Sequence, residues 1–235
     1  MAKSNLDGPG PSPARGLFVA LEGLDGAGKS TQARLLKENL ARLGYGGALI
    51  LNEPTSGYVG ARVRSLFFQN EGLREPQKEL NLFLEDRALD VKENLLPALS
   101  EGITVIMDRY ILSNVAYQGA LQELDNADSK ALSPEEILAA NQIFPWPDLT
   151  FLLEVDLEVS LERTTLRGGR DPIFEKDSYL RKVKAIYDII GQPNLPCPGL
   201  TRLNADIGES ALANSILSRV QRCLDLSCPF TKVNV

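Results

Sequence analysis

Short apolar runs alternate with longer stretches of helical spacing along most of this chain. The runs are apolar or β-branched almost throughout and cover residues 17–21, 48–51, 103–107, 149–155 and 200–203. Between them, apolar residues recur every three or four positions, which is the period of a helix packed on a sheet. Strands without polar alternation are typical of parallel sheets covered by helices on both faces. The pattern therefore predicts an α/β fold with a five-stranded parallel sheet between helices on both faces.

Helix start and stop signals predict where the helices lie. Glycines are expected to end a first helix over residues 32–43, and Pro97 is expected to end a long helix over residues 75–96. A capping box that begins at Ser133, with proline at the first helical position, predicts another helix start. Further helical patterns cover residues 157–167, 178–190 and 209–224. Helices thus separate consecutive strands, as a parallel sheet requires.

The segment GLDGAGKST, residues 23–31, follows the first apolar run and precedes the first helical stretch. It fills the pattern G-x-x-x-x-G-K-[ST], in which backbone N–H groups at a helix start converge on phosphate oxygens. Lys29 would reach the terminal phosphates, and the Ser30 hydroxyl would bind Mg²⁺. The flanking strand and helix favour a phosphate loop over an ordinary glycine-rich turn. The chain is therefore expected to bind a nucleoside triphosphate.

Amino-acid composition limits the kinds of catalytic group and the kinds of binding partner that the protein can have. The 235 residues carry a formal net charge of −6, which argues against a non-specific nucleic-acid binder. No histidine is present, so any chemistry must use carboxylates, Lys, Arg, hydroxyl groups and a bound metal. Three cysteines lack metal-ligand spacing, and no apolar run is long enough to span a membrane. These features predict a soluble, cytoplasmic protein that binds neither nucleic acid nor membrane.

Domain boundaries follow from the same pattern. Residues 1–15 are rich in Pro, Gly and Ser, which predicts a flexible N-terminal tail. One folded domain is expected over residues 16–226, followed by a C-terminal tail over residues 227–235.

A basic segment after the fourth run predicts a lid. Arg163, Arg167 and Arg170 surround two glycines within about residues 163–175. Such a glycine-hinged, basic segment suits closure over transferring phosphates and exclusion of water. The alternative interpretation is a charged helix end that complements its own dipole.

Charged and aromatic residues after the strands complete a candidate site, because ligands of parallel sheets bind at the carboxyl ends of the strands. Asp108 follows the third run and is expected to hold Mg²⁺ or its water, with a helix cap or an ion pair to Arg109 as the alternative. Arg109 suits a second phosphate, and Arg64 is a weaker candidate for the same role. Phe83 and Arg87 lie four positions apart on a predicted helix, where they would stack a base and bond its carbonyl edge.

Six segments together resemble one family. They read GLDGAGKSTQ, NEP, LFLEDR, DRYILSNVAYQGA, PDLTFLLEVD and RTTLRGGRD. These segments are similar to the motifs of thymidylate kinase, the P-loop nucleoside-monophosphate kinase that makes dTDP from dTMP, and they follow the family's order over about residues 16–190. The resemblance implies a three-layer P-loop kinase fold with a short lid, ATP as phosphate donor, Mg²⁺, dTMP as substrate and a homodimer.

The resemblance also implies roles for individual residues. ATP would be bound by Gly23, Leu24, Asp25, Gly26, Ala27, Gly28, Lys29, Ser30, Thr31 and Arg163. The implied catalytic residues are Lys29, Arg109, Arg167, Arg170 and Asp25, and the implied metal ligands are Ser30 and Asp108. The acceptor would be bound by Glu53, Arg64, Phe83, Arg87, Arg109, Ser113, Asn114, Tyr117 and Gln118.

Within the acceptor set, the resemblance implies a division of labour. Ser113, Asn114 and Gln118 would line the thymine edge, and Tyr117 would pack against the deoxyribose. Glu53 would orient the arginines that grip the acceptor phosphate.

Two positions depart from the family pattern. Some members carry a basic residue in the phosphate loop where this chain has Gly26, so the catalytic arginine is expected to come from the lid, as Arg167 or Arg170. Many bacterial relatives have arginine where this chain has Asn52, so one contact to the acceptor phosphate would be absent or supplied by Arg62.

Three other functions fit parts of the sequence. A deoxynucleoside kinase would use a carboxylate as general base, and Glu53 is placed for that role. A GTP-dependent switch protein would carry an N-K-x-D segment, which this chain lacks. A nucleotide-binding protein without catalysis is disfavoured by the presence of Lys29, Ser30, Asp108 and the lid arginines.

Overall fold

One parallel sheet forms the centre of the structure. The computed structural model describes residues 15–45, 47–66, 75–123, 131–166 and 177–225. Within them, five strands pair in the order β2-β3-β1-β4-β5, and every adjacent pair is parallel. The strands are β1 (Phe18–Gly23), β2 (Ala48–Asn52), β3 (Thr104–Asp108), β4 (Leu149–Glu154) and β5 (Leu200–Asn204). Each strand falls on one of the apolar runs, which confirms the predicted five-stranded parallel sheet.

Helices surround the sheet. In the described ranges they are α1 (Lys29–Arg42), α2 (Tyr58–Leu66), α3 (Pro76–Asp90), α4 (Leu96–Ser100), α5 (Ile111–Gly119), α6 (Pro134–Asn141), α7 (Leu157–Leu166), α8 (Asp177–Ile189) and α9 (Glu209–Asp225). Helix α1 packs against β1, β2, β3 and α9, whereas α5 packs against β1, α6 and α8. This arrangement is a three-layer α/β fold. Of the helices in these ranges, none is long and apolar enough to cross a membrane.

The predicted helix end at Pro97 is wrong. Helix α3 continues through a π-helical turn (Val91–Leu95) into α4, and Pro97 lies in the first turn of α4. The π-helical turn shifts the backbone hydrogen bonds directly before Pro97, so the helix continues past a residue that has no N–H to donate. The capping box is confirmed, since Glu136 N donates to Ser133 Oγ at 3.1 Å and Ser133 N donates to Glu136 Oε2 at 2.9 Å.

The register of the sheet brings three strand ends to one edge. Asp108 at the end of β3 lies opposite Leu21 of β1 on one side and Asn52 of β2 on the other. All six residues of β1 are buried, including Glu22. The segments that follow β1, β2 and β3 therefore leave the sheet side by side.

Candidate active site

The phosphate loop, residues 23–31, joins β1 to α1 at this edge. Gly26 has a φ of +77°, and a Cβ there would lie 2.7 Å from the carbonyl oxygen of Ser160 in α7. Gly23 has a φ of +134°, and its Cβ would lie 2.4 Å from a carbonyl oxygen of β4. Both positions therefore require glycine. A side chain at position 26 has no room against α7, which is a physical reason for the missing basic residue in this loop.

Lys29 is the cation of the phosphate loop. It is buried, and its Nζ donates to the carbonyl oxygens of Gly23 at 3.1 Å and Leu24 at 2.8 Å. Burial lowers the pKa of Lys29 to about 8, and the nearby charge of Arg109 acts in the same direction. Among the residues that the structure describes, Lys29 has no ion-pair partner. Its charge is therefore held by main-chain dipoles and is not neutralised by contact with a carboxylate.

Ser30 and Asp108 meet where α1 begins and β3 ends. Ser30 Oγ donates to Asp108 Oδ2 at 2.5 Å. A hydroxyl and a carboxylate supply the oxygen ligands that Mg²⁺ prefers. Over the described ranges, no group of three or more His, Cys, Asp or Glu side chains is arranged to hold a metal ion. The pair therefore suits Mg²⁺ that also takes phosphate oxygens as ligands.

Arg109 lies between the phosphate loop and α5. Its φ is +70°, which for a non-glycine residue is a strained conformation of the kind that clusters at functional sites. The guanidinium forms an ion pair with Asp25 and donates to Ser113 Oγ at 3.0 Å and Tyr117 Oη at 3.2 Å. It also lies 4.7 Å from the centre of the Tyr117 ring. These contacts, together with a bond from Nη1 to the Gly23 carbonyl oxygen at 3.4 Å, fix the position of this guanidinium.

Asp25 links the phosphate loop to two helices. Its side chain accepts from Arg109 and from Tyr117 Oη, and its carbonyl oxygen accepts from Ser160 Oγ at 2.5 Å. Burial opposes ionisation of Asp25, but the charges of Arg109 and Lys29 outweigh it and hold the pKa of the carboxyl well below its usual range. Asp25 is therefore ionised at neutral pH.

Glu22 is connected to Arg109 through Ser113, which donates to Glu22 and accepts from Arg109. The sequence motifs did not identify Glu22 as a site residue. The carboxylate is 1% exposed, and Oε1 accepts from the backbone N–H groups of Tyr110 and Leu112, both at 3.0 Å. Oε2 accepts from Ser113 Oγ at 2.5 Å. The N-cap residue of α5 supplies no side-chain hydrogen bond to the helix start. Glu22, which lies in β1, accepts from backbone N–H groups at that start and so takes the place of a cap. Burial raises the pKa of Glu22 above its ordinary value.

A pocket of about 160 Å³ opens beside the phosphate loop. It is lined by Asp25, Glu53, Pro54, Phe83, Arg87, Arg109, Tyr110, Ser113, Asn114 and Tyr117. The structure thus brings together seven of the nine residues that were expected to bind the acceptor. Arg64 is not among them, since its Nη1 donates to the carbonyl oxygens of Pro54 at 3.1 Å and Thr55 at 2.5 Å. Gln118 also lies outside the lining, and its amide donates to the Pro76 carbonyl at 2.8 Å.

Arg87 and Glu53 form a buried ion pair at the wall of this pocket. Arg87 Nε lies 3.0 and 2.9 Å from the two Glu53 oxygens, and the residues are 1% and 8% exposed. The Arg87 guanidinium also lies 4.8 Å from the Tyr110 ring centre and 5.7 Å from that of Phe144. Burial raises the pKa of Glu53, and the charge of Arg87 opposes that rise. Glu53 does orient an arginine, but the described partner is Arg87, because α3 places it against the end of β2.

Two further pockets are lined in part by residues of the phosphate loop. One contains Lys29, Ser30 and Asp108, and it shares Asp25, Glu53 and Arg109 with the first pocket. The other is lined by Gly26, Ala27, Gly28, Thr31, Gln32, Arg163, Ala205, Gly208, Glu209 and Leu212. The structure thus divides the candidate site into an acceptor-side pocket, a central polar pocket and an outer pocket.

Of the predicted lid, the structure describes residues 163–166, which include Arg163. Its Nη1 donates to the Gly26 carbonyl at 3.3 Å, and its Nη2 lies 3.5 Å from Asp206. Arg167 and Arg170 lie outside the described residues. The contact with Gly26 holds this end of α7 against the phosphate loop.

Comparison with known proteins identifies the family. The thymidylate kinase family profile matches residues 21–195, a stretch that includes the whole phosphate loop and the whole acceptor-side pocket. The chain belongs to the thymidylate kinase family. The match covers well over half of the chain, which confirms the resemblance noted in the sequence.

Individual thymidylate kinases support the same assignment. The chain is 42% identical to a probable thymidylate kinase of Archaeoglobus fulgidus over 73% of this chain and 80% of that protein. It is 35% identical to the thymidylate kinase of Desulfotalea psychrophila over 90% of this chain and 98% of that protein. The thymidylate kinase of Halothermothrix orenii is 33% identical, over 89% and 99% of the two chains. The similarity therefore extends over nearly the full length of two relatives.

The thymidylate kinase motifs identified side chains that line the pocket. They did not identify the buried side chains that hydrogen-bond to those lining residues. Glu22 is an acidic residue in an otherwise apolar run directly before the phosphate loop, and that position was the available signal. Asn141 is fully buried, accepts from Arg87 Nη1 and gave no such signal, because asparagine near a helix end is common.

Proposed function

We propose that this chain transfers the γ-phosphoryl group of ATP to dTMP, giving ADP and dTDP. The supporting observation is that the acceptor-side pocket and the central polar pocket share Asp25, Glu53 and Arg109. Two nucleotides bound in adjoining pockets would meet with their phosphates at these shared residues. Such alignment supplies most of what an enzyme contributes to phosphoryl transfer.

The acceptor-side pocket suits a deoxynucleotide. Phe83 offers an aromatic face, and Arg87 and Asn114 offer polar groups at the wall. We assign Phe83 to stacking on the thymine base, and Arg87 and Asn114 to its polar edge. Tyr117, held by Asp25 and Arg109, would pack against the deoxyribose.

Arg109 is the proposed contact to the acceptor phosphate. An oxygen of the dTMP phosphate would bond to the γ-phosphorus while the bond from that phosphorus to the β–γ bridging oxygen breaks, leaving ADP. This oxygen is already ionised near neutral pH, so the reaction needs no general base. A chain without histidine is therefore chemically sufficient for the transfer.

Cations on the donor side would neutralise the charge that moves. Lys29 would contact the transferred group, and Ser30 with Asp108 would hold Mg²⁺ against the phosphate oxygens of ATP. When bound, Mg²⁺ neutralises phosphate charge and orients the phosphates. Arg163, together with Arg167 and Arg170 from the lid, would complete the charge stabilisation. The exclusion of a side chain at Gly26 supports this assignment to the lid.

Phosphorylation of a nucleoside would require Glu53 as a general base. Both oxygens of Glu53 accept hydrogen bonds from Arg87, and both residues are buried. A carboxylate committed in this way is poorly placed to take a proton from a sugar hydroxyl. The ion pair therefore favours a phosphate acceptor over a hydroxyl acceptor.

A coupled assay of ADP release with dTMP, dUMP, thymidine and dGMP tests the proposal. We expect rapid release with dTMP and none above background with thymidine or dGMP. Lys29→Met serves as the control, because it removes the loop cation and keeps a stem of similar length. Turnover with thymidine alone would contradict the proposal and support a deoxynucleoside kinase.

We also propose that the protein is a homodimer. Leu89 and Leu96 lie on the continuous helical stretch from α3 to α4 and are 42% and 48% exposed, respectively. Ile143, just after α6, is 78% exposed. Large exposed apolar side chains are typical of association surfaces when they form a patch. Sedimentation equilibrium is expected to give twice the chain mass, and Leu89→Lys with Leu96→Lys is expected to shift it towards the monomer.

A further inference from the structure

Three side-chain amides form one chain behind the acceptor-side pocket. Asn141 Nδ2 donates to Asn114 Oδ1 at 3.0 Å, and Asn114 Nδ2 donates to Gln118 Oε1 at 3.1 Å. Gln118 Nε2 then donates to the carbonyl oxygen of Pro76 at 2.8 Å. Every amide in the chain therefore accepts from the residue before it and donates to the residue after it.

The groups at the two ends of this hydrogen-bonded row of amides fix the direction of donation along it. At one end, Arg87 donates to Asn141 Oδ1, and a guanidinium has donors only. At the other end, the Pro76 carbonyl is an acceptor only. An amide can be rotated by 180° with almost no change of shape, but rotation of any member here would place two donors or two acceptors against each other. A second donor bond, from Asn141 to the Ile137 carbonyl at 2.8 Å, reinforces the direction.

Burial of the three amides makes reversal of any one of them unfavourable. Asn141, Asn114 and Gln118 are 0%, 3% and 5% exposed. A reversed amide would leave buried donors and acceptors without their protein partners, which costs free energy. Of the three, only Asn114 lines the pocket. The direct partners of the Asn114 amide, Asn141 and Gln118, do not line the pocket, so the donor and acceptor that Asn114 offers to a bound base are set from behind the pocket wall.

We propose that Asn141 is a positioning residue for base selection and that, together with Gln118, it makes this site reject cytosine by fixing the direction of the Asn114 amide. The inference rests on the proposed function, which places a pyrimidine in this pocket. Thymine and uracil present an N3–H donor beside a carbonyl acceptor, whereas cytosine presents an N3 acceptor beside an amino donor. An amide that cannot rotate pairs with only one of these two patterns. The 5-methyl group plays no part in this selection.

Asn141→Leu tests the proposal. The change removes both the bond from Arg87 and the bond to Asn114, so the Asn114 amide is then held in its direction only by its bond to Gln118. The measured quantity is the ratio of kcat/KM for dUMP to kcat/KM for dCMP, because these substrates differ only at the edge in question. The wild-type ratio is expected to be about 10² or more, since a site built on specific hydrogen bonds rejects an analogue with the wrong ones. Asn141→Leu is expected to lower it about tenfold or more.

Leu138→Ala is the matched control. Leu138 is buried on the same helix, α6, and takes no part in the amide chain. It is expected to lower stability and to leave the dUMP to dCMP ratio unchanged. A merely structural role for Asn141 would give the same result as this control, and that result would overturn the proposal.

Gln118→Leu provides a second variant, from α5, in case Asn141→Leu does not fold. It removes the opposite end of the chain and leaves the contact between Arg87 and Asn141 intact. The ratio is again expected to fall, and an unchanged ratio overturns the proposal. A wild-type enzyme that uses dUMP and dCMP equally overturns this inference alone, whereas a wild-type enzyme that phosphorylates neither dTMP nor dUMP overturns the proposed function with it.

Discussion

The acceptor-side pocket and the phosphate loop hold their cations in different ways. In the pocket, Arg87 is paired with Glu53 and Arg109 with Asp25, so each guanidinium contacts a carboxylate. In the loop, Lys29 contacts two carbonyl oxygens, and within the described residues it contacts no carboxylate. One region is neutralised before any ligand binds, whereas the other presents a charge that phosphate would neutralise.

This difference separates residues that hold the fold from residues that are proposed to act on the migrating phosphoryl group. A buried ion pair depends on both of its partners, and removing one leaves an uncompensated charge. A buried lysine without a carboxylate partner instead costs free energy in the folded state, because burial disfavours its charged form. Substitutions in the pocket should therefore reduce stability first, and substitutions in the loop should reduce turnover first.

Arg87→Met is expected to have the largest effect on stability. It leaves Glu53 buried with no partner, which should lower the free energy of unfolding by about 3–5 kcal/mol. Urea denaturation followed by circular dichroism measures the change. The double variant Arg87→Met with Glu53→Leu removes both charges and is expected to recover part of the loss. A loss below about 1 kcal/mol in the single variant would show that the pair does not hold the pocket together.

Lys29→Met should show the opposite behaviour. Turnover with ATP and dTMP is expected to fall about 10²- to 10³-fold, as when other preorganised electrostatic groups are removed. The free energy of unfolding is expected to stay the same or to rise, because the variant no longer buries a charge. Coupled ADP release and urea denaturation on the same sample measure both quantities. A large loss of stability, or near-normal turnover, would contradict the comparison between loop and pocket.

The sequence predicted the sheet well and the helices unevenly. Each strand coincides with an apolar run, because strands buried on both faces need apolar residues throughout. Helix α5 was not predicted as a helix, since eight of its nine residues are buried and it therefore lacks a polar face. Helix α2 was also missed, because the nine residues Tyr58–Leu66 give little periodicity to detect.

For the candidate site, resemblance to family motifs predicted residues that line the pocket. The residues that hold them in place could not be predicted, because their contacts depend on three-dimensional packing. Glu22 bonds to groups 88 to 91 positions away, and Asn141 bonds to partners 27 and 54 positions away, so neither relation is visible along the chain. The clash that excludes a side chain at Gly26 also depends on α7, which lies far along the sequence. Roles for Arg167 and Arg170 stay predictions, because both lie outside the described residues.

Glu22→Gln tests whether the Glu22 carboxylate, which directly precedes the phosphate loop, positions Arg109 in the acceptor-side pocket through Ser113. A glutamine can still accept the two backbone N–H groups, but its amide nitrogen cannot accept from Ser113, which in turn holds Arg109. Losing a hydrogen bond to a charged group costs about 1.5–3 kcal/mol, so KM for dTMP is expected to rise about tenfold or more. KM for ATP should change little. An equal rise for both substrates would indicate general loosening, in which case Glu22 would have no specific role in placing Arg109.

The smallest expected effect is a pH dependence that should have opposite signs for stability and for donor binding. The pKa of Lys29 is about 8 in the folded protein and has an ordinary value of 10.5. Between these values the unfolded chain binds more protons at this residue than the folded chain, so the contribution of Lys29 to stability rises with pH across this window. Relative to Lys29→Met, the gain is at most about 1.4 kcal/mol per pH unit. Over the same window Lys29 loses its charge in the free enzyme, so kcat/KM for ATP should fall by up to about tenfold per pH unit above pH 8. Urea denaturation and initial rates from pH 7 to 10 measure both slopes, and slopes of the same sign would show that Lys29 is not the uncompensated charge that distinguishes the loop from the pocket.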